Sequence, residues 1–199
     1  MIDPDREFAL VHVPQHKRDA IAALWALDEA LGRIVSSTSQ PMIGQMRLTW
    51  WHDAMLGGQG GEPVLAALAE HVHPLGIDGA ALLPLVEGWE MLLDPLPLSA
   101  AALETHARTR GDRLFALSAR AIGCRVATGL GGGWALVDFA RRCSDPATAS
   151  RAFLLARPRL RNLNRLPRPL RILARLAAAD ACAGKWTART RWRLLRASF

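Results

Sequence analysis

The chain has no tyrosine, only two lysines among its 25 basic residues, and only three cysteines. The missing tyrosine removes any phenolic acid, base or nucleophile. Cys124, Cys143 and Cys182 are odd in number and show no CxxC spacing, which excludes a disulfide framework and a zinc ribbon; a reducing compartment with buried thiols is the expectation. The histidines include no i,i+4 pair with a further ligand, so zinc is not expected either. No apolar run approaches the ~20 residues of a membrane span. The opening MIDPDREFALVHVP lacks a basic-then-apolar signal pattern, so a cytoplasmic protein is expected. β-branched residues are scarce beside alanine and leucine, which disfavours sheet.

Half of the 199 residues are apolar, enough for a real core in a single domain spanning 1–199. The punctuation is helical throughout. Helices are expected over about residues 15–35, 42–56, 63–72, 80–93 and 99–124, over WALVDFARRC, after Asp145-Pro146 and after RLPRP. GLGGG at 129–133 is expected to be a loop, because Trp134 stands where a nucleotide-binding GxGxxG needs its third glycine.

Charge is unevenly spread. Residues 1–150 hold 12 Lys and Arg against 17 Asp and Glu, whereas 151–199 hold 13 basic residues and one acid, Asp180. An acidic body with a basic end calls for an anionic partner. Residues 184–199 are expected to form a basic amphipathic helix. In it Lys185, Arg189, Arg193 and Arg196 form a cationic row beside Trp192, Leu195 and Phe199, a pattern suited to an anionic membrane surface. No nucleic-acid motif accompanies these arginines, so a nucleic acid is not the expected partner.

The string ALWALDEALGRIVSSTSQPMIGQMRLTWWHDAMLGGQGGEPVLAAL, followed by GWEMLLDPLP and THARTRGDRLFALSARAIG, resembles the squalene/phytoene synthase family. The resemblance is densest over residues 5–95, sparser over 96–145 and faint beyond. It implies an all-α isoprenoid (terpenoid) synthase-like helical bundle, shortened here, with a central cavity. Active members join two prenyl diphosphates using Mg²⁺ held by two Asp-rich helices. Mg²⁺ takes carboxylate and phosphate oxygens, so such helices present acids one turn apart on one face. Laid on this chain without gaps, the first acidic set falls at Gly32, Arg33 and Ser36. The second, anchored at Gly133, puts its polar positions at Val137, Ala140, Cys143, Ser144 and Thr148, with Asp145 one residue out of register.

Those residues imply a non-catalytic binding or assembly protein without a cofactor, similar to the branch of the family that includes a mitochondrial complex I assembly factor. The alternative is a prenyltransferase of squalene/phytoene type that needs Mg²⁺ and uses relocated ligands at Asp28, Glu29, Asp138 and Asp145. The expected partners are another protein, an anionic membrane at its inner face, or an isoprenoid diphosphate or other lipid. Asp28 falls inside the apolar stripe of Ile21, Leu24, Trp25, Leu31 and Val35; as a buried carboxylate it needs a cation, and Arg47 on the next helix is the expected one. In RLTWWHDAM one tryptophan is expected in the core and the other, Trp50, on a neighbouring helix or a cavity wall. Asp138, Arg141, Arg142 and Asp145 share one helical face, as a surface ladder of ion pairs or, in a sharper reading, a phosphate-binding arginine pair.

Overall fold

The computed structural model describes residues 3–57 and 61–183. The amphipathic helix expected at 184–199, with Lys185, Arg189, Trp192, Arg193 and Arg196, lies outside the described residues. Among those described, every regular element is helical: α1 Pro4–Val11, α2 Arg18–Ser37, α3 Pro41–Met55, α4 Pro63–His71, α5 Gly79–Glu90, α6 Ala100–His106, a π-helical turn Ala107–Asp112, α7 Arg113–Ala121, α8 Leu130–Arg142, α9 Pro146–Arg159 and α10 Arg168–Ala183. Helix α1 is not foreseen by the apolar periodicity. It starts at Asp3, whose carboxylate accepts from the Asp5 amide, with Pro4 in the first turn where its missing N–H costs nothing.

Helix α2 forms the axis of the bundle. Ile21, Leu24, Leu27 and Leu31 are at most 1% exposed, and the helix is touched by α1, α3, α4, α5 and α7. Burying each such side chain stabilises the fold by about 1.5–3 kcal/mol. On the other side, α8 packs against the π-turn, α9 and α10. Helix α3 touches the rest through Gly44, Leu48, Trp51 and Met55 alone; Met42, Met46 and Trp50 are exposed.

Two expectations about small residues are corrected. GLGGG is not a loop: Gly129 adopts φ +96° just before α8, and Gly131, Gly132 and Gly133 form its first turn. Glycine is a poor helix former, by about 1 kcal/mol, but here the packing needs it. The π-turn and α8 cross so closely that a Cβ on Gly131 would strike the carbonyl oxygen of Gly111, and one on Gly111 would strike that of Gly131. The thiols are not buried: Cys124 and Cys182 are exposed and Cys143 is half-buried, since each sits at or beyond a helix end rather than on a core stripe.

Replacing Gly131 by Ala therefore forces the crossing apart. The expected loss is about 1–3 kcal/mol or more in urea unfolding. Gly61→Ala, where an added Cβ meets nothing within 4 Å, should stay within about 0.5 kcal/mol of the parent; equal effects would refute the tight crossing.

Candidate functional site

The centre of the bundle holds charge. Asp28 is 0% exposed, Arg110 1%, Asp138 3% and Arg6 3%, on four different elements. The glycine crossing brings Arg110, on the π-turn, against α8. Its Nε donates to Asp28 Oδ1 at 2.8 Å, and its Nη2 donates to Asp28 Oδ2 at 2.9 Å and to Asp138 Oδ2 at 2.7 Å. Asp28 also accepts from the Trp89 indole N–H at 2.8 Å and from Arg6. Its carboxylate thus receives four donors, which fills the roughly four lone-pair sites such a group offers. Asp138 completes its set with Arg142, one turn along α8, at 2.9 Å.

The arginine plane has a matching apolar support. The Arg110 guanidinium lies 3.9 Å from the Trp89 ring centroid and 4.9 Å from that of Trp134, and Arg6 lies 5.2 Å from the Trp134 ring. Aromatic faces attract a cation most strongly where water is excluded. Arg6 also reaches Glu29 at 3.8 Å. Three arginines (Arg6, Arg110, Arg142) thus face three acids (Asp28, Glu29, Asp138), so the interior is close to neutral.

Protonation follows from these contacts. Burial alone would raise the Asp28 and Asp138 carboxyls, but adjacent arginine charge outweighs it. Arg110 and Arg6 hold Asp28 far below the usual range, and Arg110, with Arg142 and Arg6, holds Asp138 at about 2. His106, fully buried, is pushed down to about 4 by burial and then by the Arg110 charge. Its Nδ1–H donates to the Gly88 carbonyl at 2.7 Å, which leaves Nε2 to accept from Arg110 at 3.4 Å. Neutral imidazole is therefore the last partner of the guanidinium.

Several expected residues stand elsewhere. Arg47 does not pair with Asp28: it lies outside the α3 seam, is exposed and donates to Ser37 Oγ at 3.4 Å. Trp50 packs on no neighbouring helix and lines no cavity; it is 42% exposed, edge-on to the buried Trp51. The α8 acids and arginines are not a surface ladder. Asp138 points inward, Arg141 pairs with Asp5 and Asp180, Arg142 bridges Asp138 and Asp3, and Asp145 turns away to cap α9 through the Thr148 amide and hydroxyl. Periodicity alone gave no sign of Arg6, Trp89, His106 or Arg110.

Beside the network lies a half-open pocket of about 220 Å³. Gly32 and Ser36 of α2 and Ser144 after α8 reach it, with Asp138 and Arg142 at its polar end and Trp89 on its apolar wall. Three of the positions assigned by resemblance to metal-binding acids thus converge on one space. Arg33 is exposed, Ala140 is buried, and Thr148 is held by its bonds to Asp145. An acid at Gly32 would need Trp89 to move, because a Cβ there would lie 2.8 Å from its ring.

An all-α bundle with two opposed helices, α2 and α8, presenting polar side chains to a common interior is an isoprenoid-synthase-like architecture. The chain belongs to the squalene/phytoene synthase family, which matches it over residues 3–161. No curated protein and no solved structure matches it.

The His106 contact sets a pH dependence. Its pKa is lower folded than unfolded, so the unfolded chain takes up the proton first and stability falls as pH drops from about 6.5 through 4. Asp28 and Asp138, also depressed in the folded state, add a second loss below about pH 4. Urea unfolding should lose roughly 2–3 kcal/mol through His106 between neutral pH and pH ~4.5. His106→Asn, which keeps the donor to Gly88 but does not titrate, should flatten that limb; an unchanged slope would exclude His106 as its source.

Proposed function

We propose that this protein is a non-catalytic member of the squalene/phytoene synthase family, a binding or assembly protein that works at a membrane surface. The observation that carries this reading is Arg110. In the active members implied by the resemblance, Mg²⁺ ions link acids on two helices through a diphosphate. In this chain a guanidinium links Asp28 of α2 to Asp138 of α8 directly.

The residues do not fit Mg²⁺. The Asp28 oxygens are filled by four N–H donors, and Asp138 faces two arginines. Of the relocated ligands in the alternative reading, Glu29 accepts from the Asp3 amide at 3.3 Å and Asp145 caps α9. Among the described residues no group of three or more His, Cys, Asp or Glu side chains is placed to hold a metal. A hard divalent cation would have to displace internal arginines from a dry site, where stripping one partner from a buried pair costs about 3–5 kcal/mol. The positions at Gly32, Arg33, Ser36, Ala140, Ser144 and Thr148 supply no carboxylate to compensate.

Membrane-surface work is supported by charge and topology. No helix among the described residues is long and apolar enough to cross a bilayer, while the C-terminal quarter carries most of the uncompensated basic residues. The pocket beside Asp138, with Arg142 at its polar end, is where a lipid or isoprenoid phosphate would be held without metal.

Purified protein incubated with farnesyl or geranylgeranyl diphosphate and Mg²⁺ should release no pyrophosphate and form no hydrocarbon product. Mg²⁺-dependent turnover that disappears in a folded Asp28→Asn or Asp138→Asn variant would overturn the non-catalytic reading in favour of a prenyltransferase.

A further inference from the structure

Residues 151–183 carry eight arginines and a single acid, Asp180, which is 1% exposed and paired with Arg141. Arg159 pairs with Glu104. Arg157 donates to the Ala181 carbonyl and Arg151 to the Leu98 carbonyl, neutral acceptors both. Arg161, Arg165, Arg171 and Arg175 form no ion pair with a carboxylate among the described residues. Arg161, Arg165 and Arg175 are exposed and Arg171 half-exposed.

These four are gathered in one place. Arg168, Arg171 and Arg175 recur at i, i+3 and i+7, so they share one face of α10. Arg171 donates to the Asn164 backbone carbonyl at 3.5 Å and Arg175 to its side-chain oxygen at 3.4 Å. Two guanidiniums of α10 thus converge on the short 3₁₀ turn Leu163–Arg165, which itself brings Arg165 and is preceded by Arg161. Like charges one turn apart repel, as Arg171 and Arg175 do on a helix surface. A general preference for arginine does not explain the cluster, because residues 1–150 hold more acids than bases.

We propose that the α9–α10 arginine face, centred on Arg161, Arg165, Arg171 and Arg175, docks the protein on anionic phospholipid headgroups. Guanidinium forks match phosphate geometry, and several together near an anionic leaflet each contribute to binding. Lipid is favoured over nucleic acid by what surrounds the arginines. The one aromatic residue described in 151–183, Phe153, is 7% exposed and offers no platform for base stacking, whereas Leu154 on the outer face of α9 is 60% exposed. This inference rests on the membrane-surface part of the proposed function and identifies the surface involved. It lies mostly beyond residue 161, where the family match ends.

The test is co-sedimentation of the full chain with vesicles of phosphatidylcholine alone and of phosphatidylcholine mixed with phosphatidylglycerol. We expect binding to the mixed vesicles only, weakened by added salt. The triple variant Arg165→Gln, Arg171→Gln, Arg175→Gln should bind roughly tenfold or more weakly and melt at an unchanged temperature, since these side chains serve no core contact. Arg47→Gln, Arg108→Gln, Arg125→Gln removes the same charge from other exposed sites and should leave binding intact. Equal loss in both triples, binding to neutral vesicles, or no loss in the first triple (residues 184–199 alone being responsible) would each overturn the proposal. So would tighter binding to a single-stranded RNA oligonucleotide than to anionic vesicles at the same ionic strength. Prenyl diphosphate turnover is read separately: turnover with vesicle binding would sink the non-catalytic reading and leave this one standing.

Discussion

Arg110 is a full positive charge with 1% of its surface exposed, and the architecture around it follows from that fact. Withdrawing a guanidinium from water costs several kcal/mol unless acids and hydrogen-bond acceptors replace the solvent. Asp28 and Asp138 supply the charge, His106 the remaining acceptor, and Trp89 and Trp134 the two faces. Each partner comes from a different part of the chain: α2, α8, the end of α6, α5 and the start of α8. None reaches the guanidinium unless the helices pass unusually close. The glycines at 88, 111 and 131 provide that closeness: a Cβ on Gly88 would lie 2.7 Å from the Arg110 backbone nitrogen, and Gly111 and Gly131 meet backbone to backbone. The charged centre and the glycine-rich crossings are one device.

How much of this was legible in the sequence varies by residue for physical reasons. The helical fold and the family were readable because apolar periodicity, prolines at first turns and the RLTWW segment all agree. Asp28 was readable as a buried acid because it interrupts an apolar stripe of fixed period. Its cation was not. Arg47 has the right charge on an adjacent helix, but α3 is held by Gly44, Leu48, Trp51 and Met55, which turns Arg47 to solvent. Arg6 was hidden with the whole of α1, although Asp3-Pro4 is a capping residue followed by a first-turn proline and could have marked a helix start. Arg110 lies in a π-turn, where one extra residue shifts the register of every side chain that follows. A strict 3.6-residue reading of THARTRGDR therefore could not place it. The same residue spacing that suggested a surface ladder on α8 concealed that Asp138 faces inward, since charge alone does not say which side of a helix is covered.

The internal network also accounts for the charge distribution along the chain. The acids of the body are largely committed inside it or at its edge: Asp28, Glu29 and Asp138 to Arg6, Arg110 and Arg142, and Asp5 and Asp180 to Arg141. Little acid is left to face the arginines of the last helices. On the proposed reading, one exchange underlies both halves of the molecule. Internal guanidinium takes over the position between α2 and α8 that the family uses for metal and diphosphate, and the arginines of α9 and α10 keep their charge for an external anionic surface.

The central claim is that a guanidinium, not a divalent cation, holds α2 and α8 together. Thermal unfolding of the wild-type chain and of Arg110→Ala, each with millimolar Mg²⁺ or with EDTA, tests it most directly. The account predicts a wild-type Tm indifferent to Mg²⁺ and EDTA, and an Arg110→Ala protein less stable by about 3–5 kcal/mol in both. A wild-type Tm raised by Mg²⁺, together with an Arg110→Ala protein as stable as its parent, would contradict it.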